Sequence, residues 1–166
     1  MAITYPTGTY LDRAQQLAVT IIHDSIGERP VYFASTTGFM EGLGMSDWGV
    51  RHGLASKLLP RPSDASPPPG VVRIDERYGG DLFDFERTRR LVREVYTYRG
   101  LNERDIWADR STLNIPWHFY VLHVQLANAA MQTGEAEQGE LVQGLLEEAE
   151  TFLEAARGGR LGIPGE

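Results

Sequence analysis

The sequence predicts an α+β fold in which a small helix-and-strand unit precedes a helical part. Three observations predict it: apolar residues recur at helical spacing in long segments, short β-branched and aromatic runs punctuate the first half, and a Pro-rich stretch separates the halves. The 166 residues, 42% of them hydrophobic, are enough for one folded core. We expect a single soluble domain over residues 1–166, with a helix/strand subdomain at 10–60, a loop with a possible strand at 61–80 and a helical subdomain at 81–158.

The first segment predicts a helix followed by a turn and a strand. Apolar residues recur every three to four positions over residues 11–25, which is typical of an amphipathic helix. Gly27 ends this helix, and Pro30 favours extended backbone around it. Residues 31–34, with the sequence VYFA, are then predicted to form a short buried strand.

The next segment predicts a short helix and two further strands around the Pro-rich loop. Ser46 is a suitable N-cap for a helix that continues to Arg51. Residues 54–59 predict a second strand. The loop at 61–70 has polyproline character and is the best internal boundary in the chain, and residues 71–74 predict a third strand.

The second half is predicted to be helical. Residues 84–98 form a helix behind an Asp84 cap, and residues 112–133 form a second helix with a proline in its first turn. A last helix at 135–157 follows a glycine that suits a helix C-terminus. The last two helices predict a hairpin that is similar to one tetratricopeptide unit.

Composition excludes several function classes. The formal net charge is −7 and the pI is near 5.1, so a nucleic-acid partner is not expected, because phosphate contacts need clustered Lys and Arg. The absence of cysteine removes disulfides, thiolate nucleophiles and Cys-ligated metals. No run of residues reaches the ~20 apolar positions that a membrane-spanning helix needs.

Histidines, glycines and arginines carry no recognised motif. The four histidines lack metal-ligand spacing, so neither a metal nor a cofactor is expected. The glycines at 38–44 match no phosphate-binding pattern. A basic helix face at 87–93 is a candidate for an anionic head group or an acidic partner, but a solvated face is the favoured interpretation.

Two segments carry a resemblance to a known family. Residues 27–34 (GERPVYFA) resemble the W-x-R-P-[IV]-Y-F-A segment of bacterial polytopic membrane proteins of the protein O-mannosyltransferase-like group in the GT-C glycosyltransferase superfamily. Residues 53–60 (GLASKLLP) are similar to the family's G-L-x-x-[KR]-L-x-P segment, and residues 42–43 match a preceding G-L. The C-terminal pattern of an aromatic, Leu- and Ala-containing helix, a Gly turn and an amphipathic helix is also similar.

The resemblance implies that this chain is a soluble C-terminal domain on the extracytoplasmic (periplasmic) face of a bacterial membrane. Catalysis in that family is implied to reside in the membrane-embedded half, so no catalytic residue is carried over. The implied function is that of a non-catalytic accessory domain that helps to fold or orient the membrane-embedded part or engages an acceptor protein or glycan.

The first half also offers a candidate binding groove. The strand at 31–34 and the Gly-rich loop after it are expected to bring together aromatic and polar side chains near the strand ends. These candidate binding residues are Tyr32, Phe33, Trp48, Arg51 and His52.

Two other functions stay open. The chain is alternatively a free-standing interaction protein that binds a helix or peptide with the helical hairpin at 112–157. A third hypothesis is a small hydrolase that uses His52 with Asp47 or Asp81.

Overall fold

A computed structural model of the chain describes residues 10–62, 67–134 and 138–161, and it has an α+β fold. This confirms the fold class that the sequence predicts. The helices are α1 (Arg13–Ser25), α2 (Phe39–Gly42), α3 (Phe85–Arg90), α4 (Arg110–Thr133) and α5 (Gln138–Gly158). The strands are β1 (Tyr32–Ala34), β2 (Gly49–His52), β3 (Ala55–Leu58), β4 (Val71–Arg73), β5 (Leu82–Asp84), β6 (Ile106–Trp107) and β7 (Arg160–Leu161).

Five of these strands form one mixed sheet with the order β1-β3-β2-β5-β4. All neighbours are antiparallel except β2 and β5, which are parallel with Val50 opposite Leu82 and Arg51 opposite Phe83. Strands from both sides of the Pro-rich stretch at 61–70 therefore share one sheet. The strands β6 and β7 form a separate parallel pair.

The short helix predicted from Ser46 to Arg51 is wrong. A single 3₁₀ turn spans Ser46–Trp48, its N-cap has no side-chain hydrogen bond, and Gly49 is already extended with φ −101° and ψ 142°. The next residues pair with β3 on one side and β5 on the other. Pairing with two strands outweighs the weak local preference of so short a segment for a helix.

The predicted helix at 84–98 is shorter than expected, and a strand before it was missed. Asp84 does cap α3, because its carboxylate accepts the backbone N–H of Arg87 at 3.0 Å. A π-helical turn follows at Leu91–Val95, and the backbone is extended from Tyr96. The π-helical turn replaces the regular α-helical hydrogen bonds that the apolar periodicity predicted for these residues.

The two long helices pack against each other at the C-terminal end. Helix α4 begins at Arg110 behind an Asp109 capping box, so Pro116 lies in the second turn and not in the first. Gly134 has φ +72°, as a left-handed helix C-cap requires. Residues 135–137 of the predicted last helix lie outside the described residues, and the likeness to a tetratricopeptide unit stays a prediction.

Two apolar clusters pack against the sheet. The first lies against α1, and the second fills the space between the sheet, α3 and the pair α4 and α5. Buried members of the first cluster are Ile22, Met40, Leu43, Met45 and Leu58. Buried members of the second cluster are Ile74, Phe83, Phe85, Val92, Leu122, Leu126, Ala127, Ala129, Ala130 and Leu145.

The turn between β2 and β3 is fixed by the helical half of the chain. The backbone N–H of Gly53 donates to the Thr88 hydroxyl at 3.0 Å, and that of Leu54 donates to the Tyr96 hydroxyl at 3.1 Å. Gly53 has φ +63°, which suits glycine at the first central position of a two-residue hairpin turn. A Cβ atom there would lie 2.3 Å from the Tyr96 hydroxyl oxygen.

Replacing Gly53 with Ala is expected to destabilise the protein more than the same change at Gly44. The two residues have nearly equal φ values, +63° and +64°, but a Cβ at Gly44 meets nothing within 4 Å. Gly44→Ala should cost about 1–2 kcal/mol from backbone strain alone. Gly53→Ala should cost about 1–3 kcal/mol more, because the Tyr96 side chain must move. Urea unfolding of both variants measures this difference, and equal losses would contradict the account of the turn.

Candidate functional site

A polar cleft opens on one face of the sheet between β1, α2 and the start of β2. It holds about 40 Å³, and its side chains combine charge, hydroxyl groups and aromatic rings. The charged groups are Arg51, Glu41 and Asp81, and the aromatic wall is formed by Phe33 and Phe39.

The parallel pairing of β2 and β5 places Arg51 and Asp81 on the same face of the sheet. Arg51 lies opposite Phe83, and Asp81 comes two residues before Phe83. Because side chains alternate along a strand, Asp81, Phe83 and Arg51 share a face. Gly49, two residues before Arg51, also lines the cleft, and the space beside its Cα is occupied by the Met40 side chain, whose Cε would lie 2.7 Å from a Cβ atom there.

Arg51 is held at the base of the cleft by helix α4. Its Nη2 atom donates to Oε1 of Gln125 at 3.3 Å, and Nε2 of Gln125 donates to the Tyr78 carbonyl at 2.7 Å. The Arg51 Nε atom is buried and has no hydrogen-bond partner within the described part of the chain. Burial lowers the pKa of Arg51, and the neighbouring Asp81 carboxylate opposes that shift.

Asp81 is the acidic counterpart of Arg51. Burial raises the pKa of the Asp81 carboxyl group above its usual range, and the positive charge of Arg51 acts against this effect. The backbone carbonyl of Asp81 accepts the N–H of Ile74 at 2.9 Å, which fixes the residue beside β4. The cleft therefore holds a donor and an acceptor whose positions are set by two adjacent strands.

A second depression of about 130 Å³ shares part of its lining with the cleft. Ser46 and Asp81 line both spaces, and Asp47, Arg73 and Gly80 line only the second.

The structure brings together only two of the five predicted groove residues. Phe33 and Arg51 line the cleft, whereas Trp48 packs against the apolar cluster of α1. Tyr32 and His52 point to the opposite face of the sheet, where their rings lie 5.7 Å apart. Strand alternation explains the split, because each of these two residues neighbours a cleft residue in sequence.

The hydrolase hypothesis named the wrong partner for His52. Its Nε2 atom lies 3.5 Å from Oδ2 of Asp84, not beside Asp47 or Asp81. Asp84 already caps α3, and burial lowers the pKa of His52, with the Asp84 charge opposing the shift. The pair joins the end of β2 to the start of α3, which is a structural role.

A second buried histidine lies in an aromatic cluster between α4 and α5. The Nδ1 atom of His123 lies 2.7 Å from the Phe119 carbonyl, and its Nε2 atom lies 3.3 Å from the Tyr98 hydroxyl and 3.2 Å from Oε2 of Glu148. Burial lowers the pKa of His123 and raises that of Tyr98 to about 12. The lowered pKa favours the neutral imidazole, in which Nδ1–H donates to the carbonyl and Nε2 accepts from the Tyr98 hydroxyl, while the Glu148 carboxylate beside Nε2 opposes the shift.

The sequence reasoning did not connect Arg51 with Asp81, Gly49 or Gln125. Asp81 was considered only as a partner of His52, and Gly49 was not chosen, because their proximity to Arg51 depends on the pairing of strands some thirty residues apart. Gln125 was not chosen because it lies within a helix whose apolar periodicity accounts for its neighbours. The available signal was the pattern GDLFD, in which Asp81 precedes a buried strand.

Metal ligands and membrane spans were searched within the described ranges. No group of three or more His, Asp or Glu side chains in them is arranged to hold a metal ion. No helix in these ranges is both long and apolar enough to cross a membrane.

No protein-family profile, curated protein or solved structure matches this chain.

Stability is expected to fall as the pH is lowered below about 6.5. Burial lowers the pKa values of His52, His118 and His123, so the unfolded chain binds protons more readily than the folded one. The contribution of these histidines to the free energy of unfolding is complete at pH values above the ordinary histidine pKa. It is lost as the pH falls below that value, by at most about 1.4 kcal/mol per pH unit for each proton that the chain binds on unfolding. Urea unfolding at pH 7.5 and 5.5 measures the difference.

The variant His123→Gln isolates the most deeply buried group. It should reduce the loss of stability between the two pH values, whereas His23→Gln, at an exposed position, should leave that loss unchanged. An unchanged pH dependence in His123→Gln would contradict the assignment of a neutral buried imidazole.

Proposed function

We propose that this chain is a non-catalytic accessory domain of a glycosyltransferase-like membrane protein and that it engages the acceptor through the cleft at Arg51 and Asp81. The observation that carries the proposal is the fixed donor and acceptor pair in that cleft, with an aromatic wall beside it. In this proposal the domain lies on the extracytoplasmic side of a bacterial membrane. Its partners are the membrane-embedded part of the same protein and an acceptor protein or glycan.

The chemistry of the cleft supports recognition. A guanidinium group stays protonated throughout the physiological range, so Arg51 binds and orients but does not transfer protons. Its position is fixed by Gln125, which is in turn held by the Tyr78 carbonyl. A donor that is already held in place loses little conformational freedom when a ligand binds.

The two segments that resemble the family lie side by side next to the cleft. Residues 27–34 contain β1 and residues 53–60 contain β3, and these strands pair with Phe33 opposite Ser56. Both of these residues line the cleft. The resemblance and the candidate site therefore involve the same part of the sheet.

Replacing Arg51 with Met in the full-length parent protein is expected to reduce acceptor glycosylation at least fivefold. Met keeps much of the side-chain volume but removes the donors, so the acceptor loses its contact in the cleft. Mass spectrometry of the acceptor measures glycan occupancy, with protein abundance measured in parallel. The control Arg157→Met alters an exposed arginine of α5 and should leave occupancy unchanged. Normal occupancy in Arg51→Met at normal abundance would refute the proposed role of the cleft.

A protein-interaction module is the second candidate function, and exposed apolar side chains on the last two helices favour it. Trp117 is 44% exposed, and its ring lies 5.1 Å from that of Tyr120. Large exposed aromatic residues are frequent anchors of protein interfaces. Other exposed apolar residues of these helices are Ile115, Met131 and Leu146.

A photo-crosslinking amino acid at Trp117 tests this second candidate in cells that express the full gene. A bound partner helix or peptide should give one discrete adduct, because the contact is specific. The same amino acid at the exposed Glu150 of α5 is the control. Adducts of equal yield at both positions would remove the interaction module as a candidate.

A further inference from the structure

We infer that the outer face of α1 is a self-association surface, on which α1 of a second copy of this chain packs in the antiparallel direction. Three exposed apolar residues, Ala14, Leu17 and Ile21, form this surface and are termed the outer stripe of α1. None of them lines the cleft at Arg51 and Asp81, so this surface is separate from the site of the proposed function.

Helix α1 has two apolar faces, and only one of them is packed. Its inner face meets the first apolar cluster through the buried Ile22 and the partly buried Ala18 and Val19. The outer stripe belongs to neither apolar cluster, and Leu17 and Ile21 are 62% and 53% exposed. A helix that covers one core needs one apolar face, with polar residues opposite it. The outer stripe is therefore apolar surface that the described part of the chain leaves uncovered.

The spacing of the outer stripe fits a helix as its partner. Its members lie three and four residues apart, which places them along one side of α1. Apolar residues with this spacing form the seam between paired helices, because each one inserts between side chains of the facing helix. The 13 residues of α1 span about 20 Å. So short a pair of helices lies at the small end of protein interfaces, and we expect a weak dimer with a dissociation constant of about 100 μM.

Charges beside the outer stripe select a second copy of α1 as the partner. Arg13 and Asp24 are both exposed. Because successive residues of a helix are rotated by about 100°, both of them project along the same edge of the outer stripe. Arg13 forms no ion pair within the described ranges, and the Asp24 carboxylate contacts only the adjacent His23 among the described ion pairs. The edge therefore carries one positive charge at its start and one negative charge at its end.

The antiparallel direction pairs these charges and the outer stripe in one register. Arg13 lies four residues before Leu17, and Asp24 lies three residues after Ile21. A register with Leu17 of one copy beside Ile21 of the other therefore brings Arg13 to within one residue of Asp24 in the other copy, about 1.5 Å along the helix axis. The two-fold symmetry of such a pair forms each contact twice. A parallel pair would instead bring like charges together at both ends.

The composition of α1 argues against a membrane surface as the occupant. A helix that lies on a bilayer is rich in Lys and Arg on its polar face. Helix α1 has one Arg, no Lys and one Asp, and the whole chain has a formal net charge of −7. An anionic bilayer would therefore gain little electrostatic attraction from this helix.

Sedimentation equilibrium of the whole chain, from about 5 to about 500 μM, measures the association. The protein should form a reversible dimer, and Leu17→Gln and Ile21→Gln should each weaken dimerisation at least tenfold. Met131→Gln is the matched control, because Met131 is 59% exposed on α4, and this variant should dimerise as the unaltered protein does. A protein that stays monomeric at the highest concentration, or a dimer that Leu17→Gln leaves unchanged, would overturn the inference.

An exchange of charges tests the antiparallel direction. Arg13→Glu and Asp24→Arg should each weaken dimerisation at least threefold, and the variant with both changes should restore it, because opposite charges again face each other. An acidic residue at the start of a helix and a basic residue at its end are favourable, so neither change should destabilise α1. Single variants that dimerise as the unaltered protein does, or a double variant that does not recover, would overturn the antiparallel arrangement.

Lipid vesicles test the other occupant of the outer stripe. Vesicles of phosphatidylcholine with about 30% phosphatidylglycerol should not sediment the protein at a concentration where it is monomeric. Vesicle binding that Leu17→Gln abolishes, in a protein that does not dimerise, would assign the outer stripe to a bilayer and overturn the inference.

Discussion

The parallel pairing of β2 with β5 is the contact on which the rest of the structure depends. It joins residues before and after the Pro-rich stretch in one sheet, with Arg51 opposite Phe83. In this register the Phe83 side chain packs in the apolar cluster beneath α4, and Asp81, on the same face of the sheet, lines the cleft. Because side chains alternate strictly along a strand, a shift of one residue would exchange the buried and open faces and dissolve the candidate site.

The buried guanidinium group shows how the sheet and the helices share the site. Arg51 projects from β2, but its position is fixed by Gln125 of α4, which is fixed by the Tyr78 carbonyl. The turn that follows β2 is likewise held by Thr88 and Tyr96 from the helical half. The Arg51 Nε–H group has no hydrogen-bond partner within the described part of the chain, and a buried donor without a partner lowers stability. Such costs are most common at functional sites.

Much of the fold was predictable from local patterns, and the site was not. The spacing of apolar residues predicts α1, α4 and most of α5, and the Asp84 cap is correct because it depends only on the next three residues. The strand β2 was missed because four residues carry little periodicity and its pairing partners decide its conformation. Asp81 was missed as a partner of Arg51 because only the pairing of β2 with β5 brings them together. Tyr32 and His52 were wrongly grouped with Phe33 and Arg51, although strand alternation alone separates neighbours in sequence.

Nuclear Overhauser contacts between the backbones of β2 and β5 test the account most directly. Contacts that align Val50 with Leu82 and Arg51 with Phe83 would establish the register that places Arg51 and Asp81 on one face. Contacts shifted by one residue, or an absence of contacts between these strands in an assigned spectrum, would contradict it. Either of these outcomes would remove the cleft as the functional site of the protein.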